Sequence, residues 1–313
     1  MKIRTFQPGD EAPQAAIYNE AARQLPRFKP ATEEEVRRRC RAQDFDPRSR
    51  FYAEMDGRAV AYATFHANGR VSYPWCRAGA ESAAEPLFQA VLYAMAERGI
   101  RRAFAAYRGD WHEQLEFFLA HGFHQSREMV NFIADRKDLP AGTGPKTLPV
   151  DKVHRRDLGS LAGMAARVRP NLSVVELECS WFQNPYFQSD ALFAARGSEN
   201  GEPAAVGILI ANSTYTNAAV VDANMPCFRL GAFGTEGMQV KRIDGLFSFM
   251  TRDQSDAEPV GLDLLRHGLS VQKEKTGGET VAAQAPSDVP YLMQFYERHF
   301  RRQGSFPILE RDL

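Results

Sequence analysis

Apolar positions change period several times along the chain, and each change marks an element. Ile3-Arg4-Thr5-Phe6 alternates like a strand, Gly9-Asp10 turns, and Glu11 to Arg23 carries apolar residues at helical spacing. A basic helix is expected near Glu33 to Arg41. Phe51 to Met55 and Ala59 to Phe65 flank Asp56-Gly57-Arg58, and Asp-Gly supplies the backbone twist of a tight hairpin. A third strand near Arg70 to Trp75 follows a turn at Asn68-Gly69. Glu85 to Arg98 then reads as an amphipathic helix stopped by Gly99, and Ile100 to Tyr107 as a buried strand. Asp110 is the expected N-cap of a helix over Trp111 to His121, ended by Gly122.

The order strand, helices, three strands, helix, strand, helix, strand then repeats. Leu148 to Val153 reads as a strand, Arg156-Asp157-Leu158 as a turn into a helix reaching Arg167, and Leu192 to Ala195 pairs with Ala204 to Ala211 across Asn200-Gly201. A shift of 178 positions places Ala105 on Ala283, Asp110 on Asp288, Phe117 on Phe295, His121 on His299 and Gln125 on Gln303, which points to internal duplication. Between the halves, Leu139 to Lys146 holds two prolines and two glycines and reads as a linker. The expected domains are therefore 1–138 and 147–313, joined by 139–146. The expected class is α/β (α+β), each domain a mixed, mostly antiparallel sheet flanked by helices.

Composition adds limits. With 313 residues, 44% hydrophobic and 25% charged, the chain is long enough for two domains with their own cores. Its 39 Lys+Arg balance 39 Asp+Glu, so no overall field draws it to nucleic acid or anionic membrane. Arg37-Arg38-Arg39 and Arg301-Arg302 read as solvated faces. Apolar runs fall short of the roughly 18 residues of a membrane span, and Met1 to Arg4 leads into polar residues, so the expected compartment is the cytoplasm. Cys40, Cys76, Cys179 and Cys227 lie far apart and are expected as reduced, mostly buried thiols. His121 and His124 straddle a helix end without a completing carboxylate, so no metal is expected.

Two pairs of segments carry possible chemistry. Arg242-Ile243-Asp244-Gly245-Leu246-Phe247 follows an expected strand over Cys227 to Thr235, and the register of Leu87 places Gly79-Ala80-Glu81-Ser82-Ala83-Ala84 correspondingly in the first half. Phe295-Tyr296-Glu297-Arg298-His299-Phe300 in one half faces Phe118 and Gly122-Phe123 in the other. Together with the element order, each half resembles the GNAT acyltransferase fold, and the chain resembles a tandem GNAT protein, an arrangement similar to that of mycothiol synthase.

The resemblance implies a Gln/Arg-x-x-Gly-x-Gly/Ala turn whose amides hold the pyrophosphate of acetyl-CoA. Arg242, Gly245 and Leu246 would supply it in the second half, where Phe247 departs from the pattern. Ser82 and Ala84 fit in the first half, where the basic first position is lost. It also implies that Tyr296 protonates the departing thiolate, a role closed to Phe118. Read without the resemblance, Tyr296 is a core aromatic on the stripe of Tyr291, Leu292, Phe295 and His299. Glu236 is either a general base or a solvated turn residue, and the backbone at Phe233, Gly234 and Thr235 is the implied oxyanion donor. Asn184 to Phe187 is either an acceptor pocket or a packed loop. The implied function is acetyl transfer from acetyl-CoA to an amine of a small molecule by the second half, the first being degenerate. The alternative is a non-catalytic acyl-CoA-binding or scaffolding protein.

Overall fold

The computed structural model describes the chain except for residues 29, 42–44, 140–147, 169–172, 183–189, 198–200, 211–244 and 274–279. Two compact units result: unit 1 is Met1–Glu128 with Phe306–Leu313, and unit 2 is Met129–Ser305.

Unit 1 begins with β1 (Lys2–Thr5), α1 (Glu11–Ala21), α2 (Glu33–Cys40), β2 (Arg50–Met55), β3 (Arg58–Thr64) and β4 (Trp75–Cys76). Strands β1 to β4 form an antiparallel sheet in chain order. The β2–β3 turn is the expected hairpin, with Asp56 and Gly57 at φ 50° and 72°. Next come α3 (Ala84–Glu97), β5 (Arg102–Ala106), α4 (His112–Ala120) and β6 (His124–Asp135). Helix α3 buries Leu87, Phe88, Val91, Leu92 and Met95, the three- and four-residue spacing of one apolar face. Helix α4 starts without the expected Asp110 cap; that carboxylate pairs instead with Arg108 at 2.8 Å.

Unit 2 repeats the order with β7 (Val150–Lys152), α5 (Leu158–Val168), α6 (Val174–Phe182), β8 (Leu192–Arg196), β9 (Pro203–Ile210), β10 (Gly245–Thr251), α7 (Ala257–Lys273), β11 (Thr280–Pro286), α8 (Pro290–His299) and β12 (Arg301–Asp312). Its strands lie in the order β6-β11-β10-β9-β8-β7, antiparallel except for β10 beside β11. Phe132, Phe193, Phe247, Phe249, Phe295 and Tyr296 fill its core. Gly261 lets α7 come close, since a Cβ there would meet Phe249 and Phe295 at 2.8 Å.

Strands β6 and β12 are exchanged between the halves of the chain. Residues Met129–Asp135 of β6 pair with β11 in unit 2, and Ile308–Asp312 of β12 pair with β5 in unit 1. The units divide at Met129 and Phe306; most of the expected linker, 139–146, lies outside the described residues.

Both units pin the turn before their first helix with an Asp–Arg pair. Asp10 accepts the Gln7 N–H at 2.6 Å and the Arg4 guanidinium at 2.7 and 2.9 Å. Asp157 accepts the His154 N–H at 2.9 Å and Arg196 at 2.9 and 3.2 Å.

Candidate active site

The two parallel strands of unit 2 create its opening. Strands β10 and β11 share register over Gly245/Val281, Leu246/Ala282 and Phe247/Ala283. Beyond that, Ser248–Thr251 stays with β9 and Gln284–Pro286 with β6, so the strands part. Backbone amides at such a fork need partners other than a neighbouring strand.

Tyr296 of α8 lies against the fork. Its hydroxyl lies 3.5 Å from the Phe247 carbonyl, and its ring, fully buried, packs among Phe132, Phe247, Phe249, Phe295 and Phe300. Burial pushes its pKa far above that of an ordinary phenol; hydrogen bonds from the Phe249 amide and the Ser248 side chain pull the other way without winning. The phenol is thus protonated at neutral pH.

After the fork, β10 runs through Arg252-Asp253-Gln254-Ser255-Asp256 into α7 at Ala257. The Thr251 hydroxyl donates to the Asp253 carbonyl at 2.8 Å, and the Asp253 carboxylate accepts the Ser255 N–H at 2.9 Å and hydroxyl at 2.8 Å. Arg252 donates to Ser160 at 2.6 Å and pairs with Glu202 at 3.1 Å. On the first turn of α7, Glu258 pairs with Arg298 and, at 3.4 Å, with His299 of α8. Those pairs hold the Glu258 pKa below the usual carboxylate range.

Unit 1 has the same fork with different occupants. Arg70 bridges Phe104 in parallel, with Val71 N–H donating to Phe104 O at 2.9 Å and Phe104 N–H to Gly69 O at 2.8 Å. Gly69 is required there, because its φ is +90° and a Cβ would stand 2.3 Å from the Arg102 carbonyl. Three residues on, the Tyr73 N–H donates to the Tyr107 hydroxyl at 2.6 Å. The Tyr107 ring stacks on Phe118 at 5.7 Å, and Trp75 meets Tyr73, Tyr107 and Trp111 edge-on. The following loop is held by carboxylates. Glu20 of α1 accepts the Ala78 N–H at 3.0 Å and pairs with Arg77 at 2.6 Å, while Glu81 accepts the Gly79 N–H at 2.9 Å.

Several expected site residues change place. Gly245 and Leu246 begin strand β10 and Phe247 is buried in the core, so the described part of the helix-opening turn expected at Arg242 to Phe247, Gly245 to Phe247, is sheet strand. Sheet pairing of the segment displaces the turn to 252–256. Ser82 sits in a short 3-10 turn and Ala84 opens α3, so these two do lie at a strand-to-helix turn. Phe233, Gly234, Thr235, Glu236, Arg242 and the segment Asn184 to Phe187 lie outside the described residues.

Three residues at the turn escaped the sequence reading: Arg252, Ser255 and Ala257. A signal existed, because Ala84-Glu85-Pro86 and Ala257-Glu258-Pro259 repeat at a shift of 173, with apolar residues following at Leu87/Val260, Val91/Leu264 and Leu92/Leu265. In that register Ser82 falls on Ser255 and Ala84 on Ala257. Tyr107 was missed as well.

Cys40 and Cys76 are free and half-buried, and burial pushes the Cys76 thiol up to about 11, so it is not poised as a nucleophile. Among the described residues no group of three His, Cys, Asp or Glu is placed to hold a metal, and no helix is long and apolar enough to cross a membrane.

No family model matches the sequence, and no curated protein does. Solved structures do. A GCN5-related N-acetyltransferase from Sphaerobacter thermophilus is similar over 99% of this chain and 95% of its own, at 14% identity and a TM-score of 0.67. A tandem GNAT protein from the clavulanic acid biosynthesis pathway is similar over 99% and 98%, at 12% identity and a TM-score of 0.58. An acetyltransferase of the GNAT family from Colwellia psychrerythraea is similar over the full length of both, at 11% identity and a TM-score of 0.50. The fold is therefore that of the GNAT N-acetyltransferases, in tandem form.

Proposed function

We propose that the chain is a cytoplasmic N-acyltransferase that moves an acetyl group from acetyl-CoA to an amine of a small molecule, with its chemistry in unit 2. The observation that carries this reading is the parting of β10 from β11 beside the Tyr296 phenol, followed by a small-residue turn into α7. The turn fits a diphosphate in part. Arg252 offers a cation, Ser255 and Ala257 are small enough for close backbone approach, and the α7 N-terminus favours an anion. The carboxylates of Asp253 and Asp256 oppose it, and Asp253 must release Ser255 for its amide to serve a ligand.

When bound, the coenzyme supplies an acyl thioester. Everything else falls to this chain. The Phe249 amide, which faces away from β9 at the parting, is the one placed to stabilise negative charge on an acyl oxygen. Tyr296 holds a proton on Oη that it can pass to a departing thiolate. Glu236 is assigned as the base for the incoming ammonium.

The complete burial of Tyr296 favours one second reading, an acyl-CoA-binding protein without turnover. Binding and turnover separate the two. Acetyl-CoA at a hundred times its Kd should stabilise the protein by about 2.7 kcal/mol, and Arg252→Glu should remove that gain. Tyr296→Phe should lower amine-dependent thiol release about ten- to a thousand-fold with coenzyme binding retained. Stabilisation without turnover on any amine selects the second reading, and no stabilisation by any CoA ester sinks both.

A further inference from the structure

Strand β2 opens with a cation that no carboxylate answers among the described residues. The two-residue period of a strand sets Arg50 on the same face as Tyr52, whose hydroxyl donates to Gln14 of α1 at 2.8 Å. On that face the Arg50 guanidinium lies over the Phe45 ring at 5.0 Å, and Phe45 meets Phe6 edge-on at 5.2 Å. Arg50 Nε is shut off from water and has no hydrogen-bond partner. Burial pulls the pKa of the group below the ordinary arginine value. The residue nevertheless keeps partial exposure, so a small solute has a way in.

The carboxylates around it are committed elsewhere. Asp10 and Glu54 both serve Arg4, at 2.7 and 2.8 Å. Asp46 pairs with Arg48 at 3.3 Å and Arg98 at 2.7 Å, and Glu11 accepts the Gly9 N–H at 2.8 Å. Within electrostatic reach of Arg50 are the Cys40 thiol and the Tyr52 phenol, both kept neutral by burial, the Tyr62 phenol, and Arg39, a second cation. The chain treats its other covered arginines differently. Arg4 and Arg196, with side chains 15% and 10% exposed, each hold two carboxylates. An aromatic face is a weaker partner than either, and a covered charge left unpaired is costly.

The side of a guanidinium that carries Nε and one terminal nitrogen offers two parallel donors, the spacing that matches both oxygens of a carboxylate. At Arg50 the Nε donor of that side is unused. We propose that Arg50 anchors a carboxylate-binding site in unit 1, beside α2, that takes a small organic acid side-on. The site is separate from the chemistry assigned to unit 2, and its test requires no turnover.

Acetate against chloride at equal ionic strength, with the full chain, is the probe. Acetate should raise the wild-type melting temperature in a saturable way, and chloride should not. In proton–nitrogen NMR spectra, the Arg50 Nε–H signal, identified by its loss in Arg50→Lys, should move downfield with acetate. Arg50→Lys keeps the charge without the paired donors and should weaken acetate binding at least about tenfold. A wild type that acetate stabilises no more than chloride overturns the proposal without any variant. So does a folded Arg50→Lys with wild-type acetate affinity, or an Nε–H signal that ignores acetate. Stabilisation by inorganic phosphate with none by acetate likewise overturns a carboxylate ligand.

Discussion

Unit 1 and unit 2 share an order of elements and a fork between parallel strands, yet they satisfy the fork with exchanged residues. One uses Tyr107 with Phe118, the other Ala285 with Tyr296. A residue-by-residue comparison sees a tyrosine lost at 118. In space, the hydroxyl is retained and only its point of attachment has moved. What persists is the need of the strand amide for a partner, which a buried backbone group cannot forgo without a cost of roughly 1–3 kcal/mol.

The sharpest way to break the comparison is to remove residues 306–313. Unit 1 then loses the strand paired with β5, together with buried Phe306 and Leu309, while unit 2, which ends at Ser305, loses no residue. Deleting two such side chains alone costs on the order of 5–8 kcal/mol. Limited proteolysis should cut rapidly within residues 1–128 and leave unit 2 protected; protection of both would deny the strand its structural role.

A smaller effect is expected at the matched Asp–Arg pairs. Asp157→Asn removes the buried one of Arg196's two carboxylate partners and leaves the more exposed Asp151 at 2.6 Å, so the loss should fall below the about 3–5 kcal/mol of breaking an isolated buried pair. Burial raises the Asp157 pKa, but hydrogen bonds from Arg196 and the His154 amide outweigh it, so the folded value lies below the ordinary one. Its contribution is therefore complete above the unfolded carboxyl's pKa of about 4 and disappears as pH falls through the lowered folded value. Urea melts of wild type and Asp157→Asn should converge in acid; parallel curves down to pH 2 would argue against this pair.

The smallest change should come from the helix clamps, Glu85 with His121 at 2.5 Å and Glu258 with Arg298 and His299. Glu85 and Glu258 are 59% and 40% exposed, so each Glu→Gln should cost less than about 1 kcal/mol. Thermal melts would detect a larger loss and so reveal a deeper role.

Element order and the first hairpin were legible because period and turn chemistry are local: Asp56-Gly57 turns whatever surrounds it. The turn that opens α7 was not. Arg242-x-x-Gly245 imitates the pattern, whereas the turn that opens α7 carries Ser255 where glycine was sought, and its repeat lies at 173 rather than 178. Only the sheet pairing of Phe247 and Phe249 tells strand from turn. Tyr107 escaped for another reason. Its role depends on which side chain reaches an amide across the fork, a fact of three dimensions that no spacing encodes.

The exchanged final strands also set a timetable for synthesis. A ribosome releases β5 long before its partner Ile308–Asp312 exists, since all of Met129–Ser305 must be made in between. During that interval the nascent first unit exposes an unpaired strand edge, the kind of surface that draws chaperones or sticks to other chains. Yield of this protein in cells should accordingly be governed by elongation speed and chaperone supply as much as by the stability of the finished molecule.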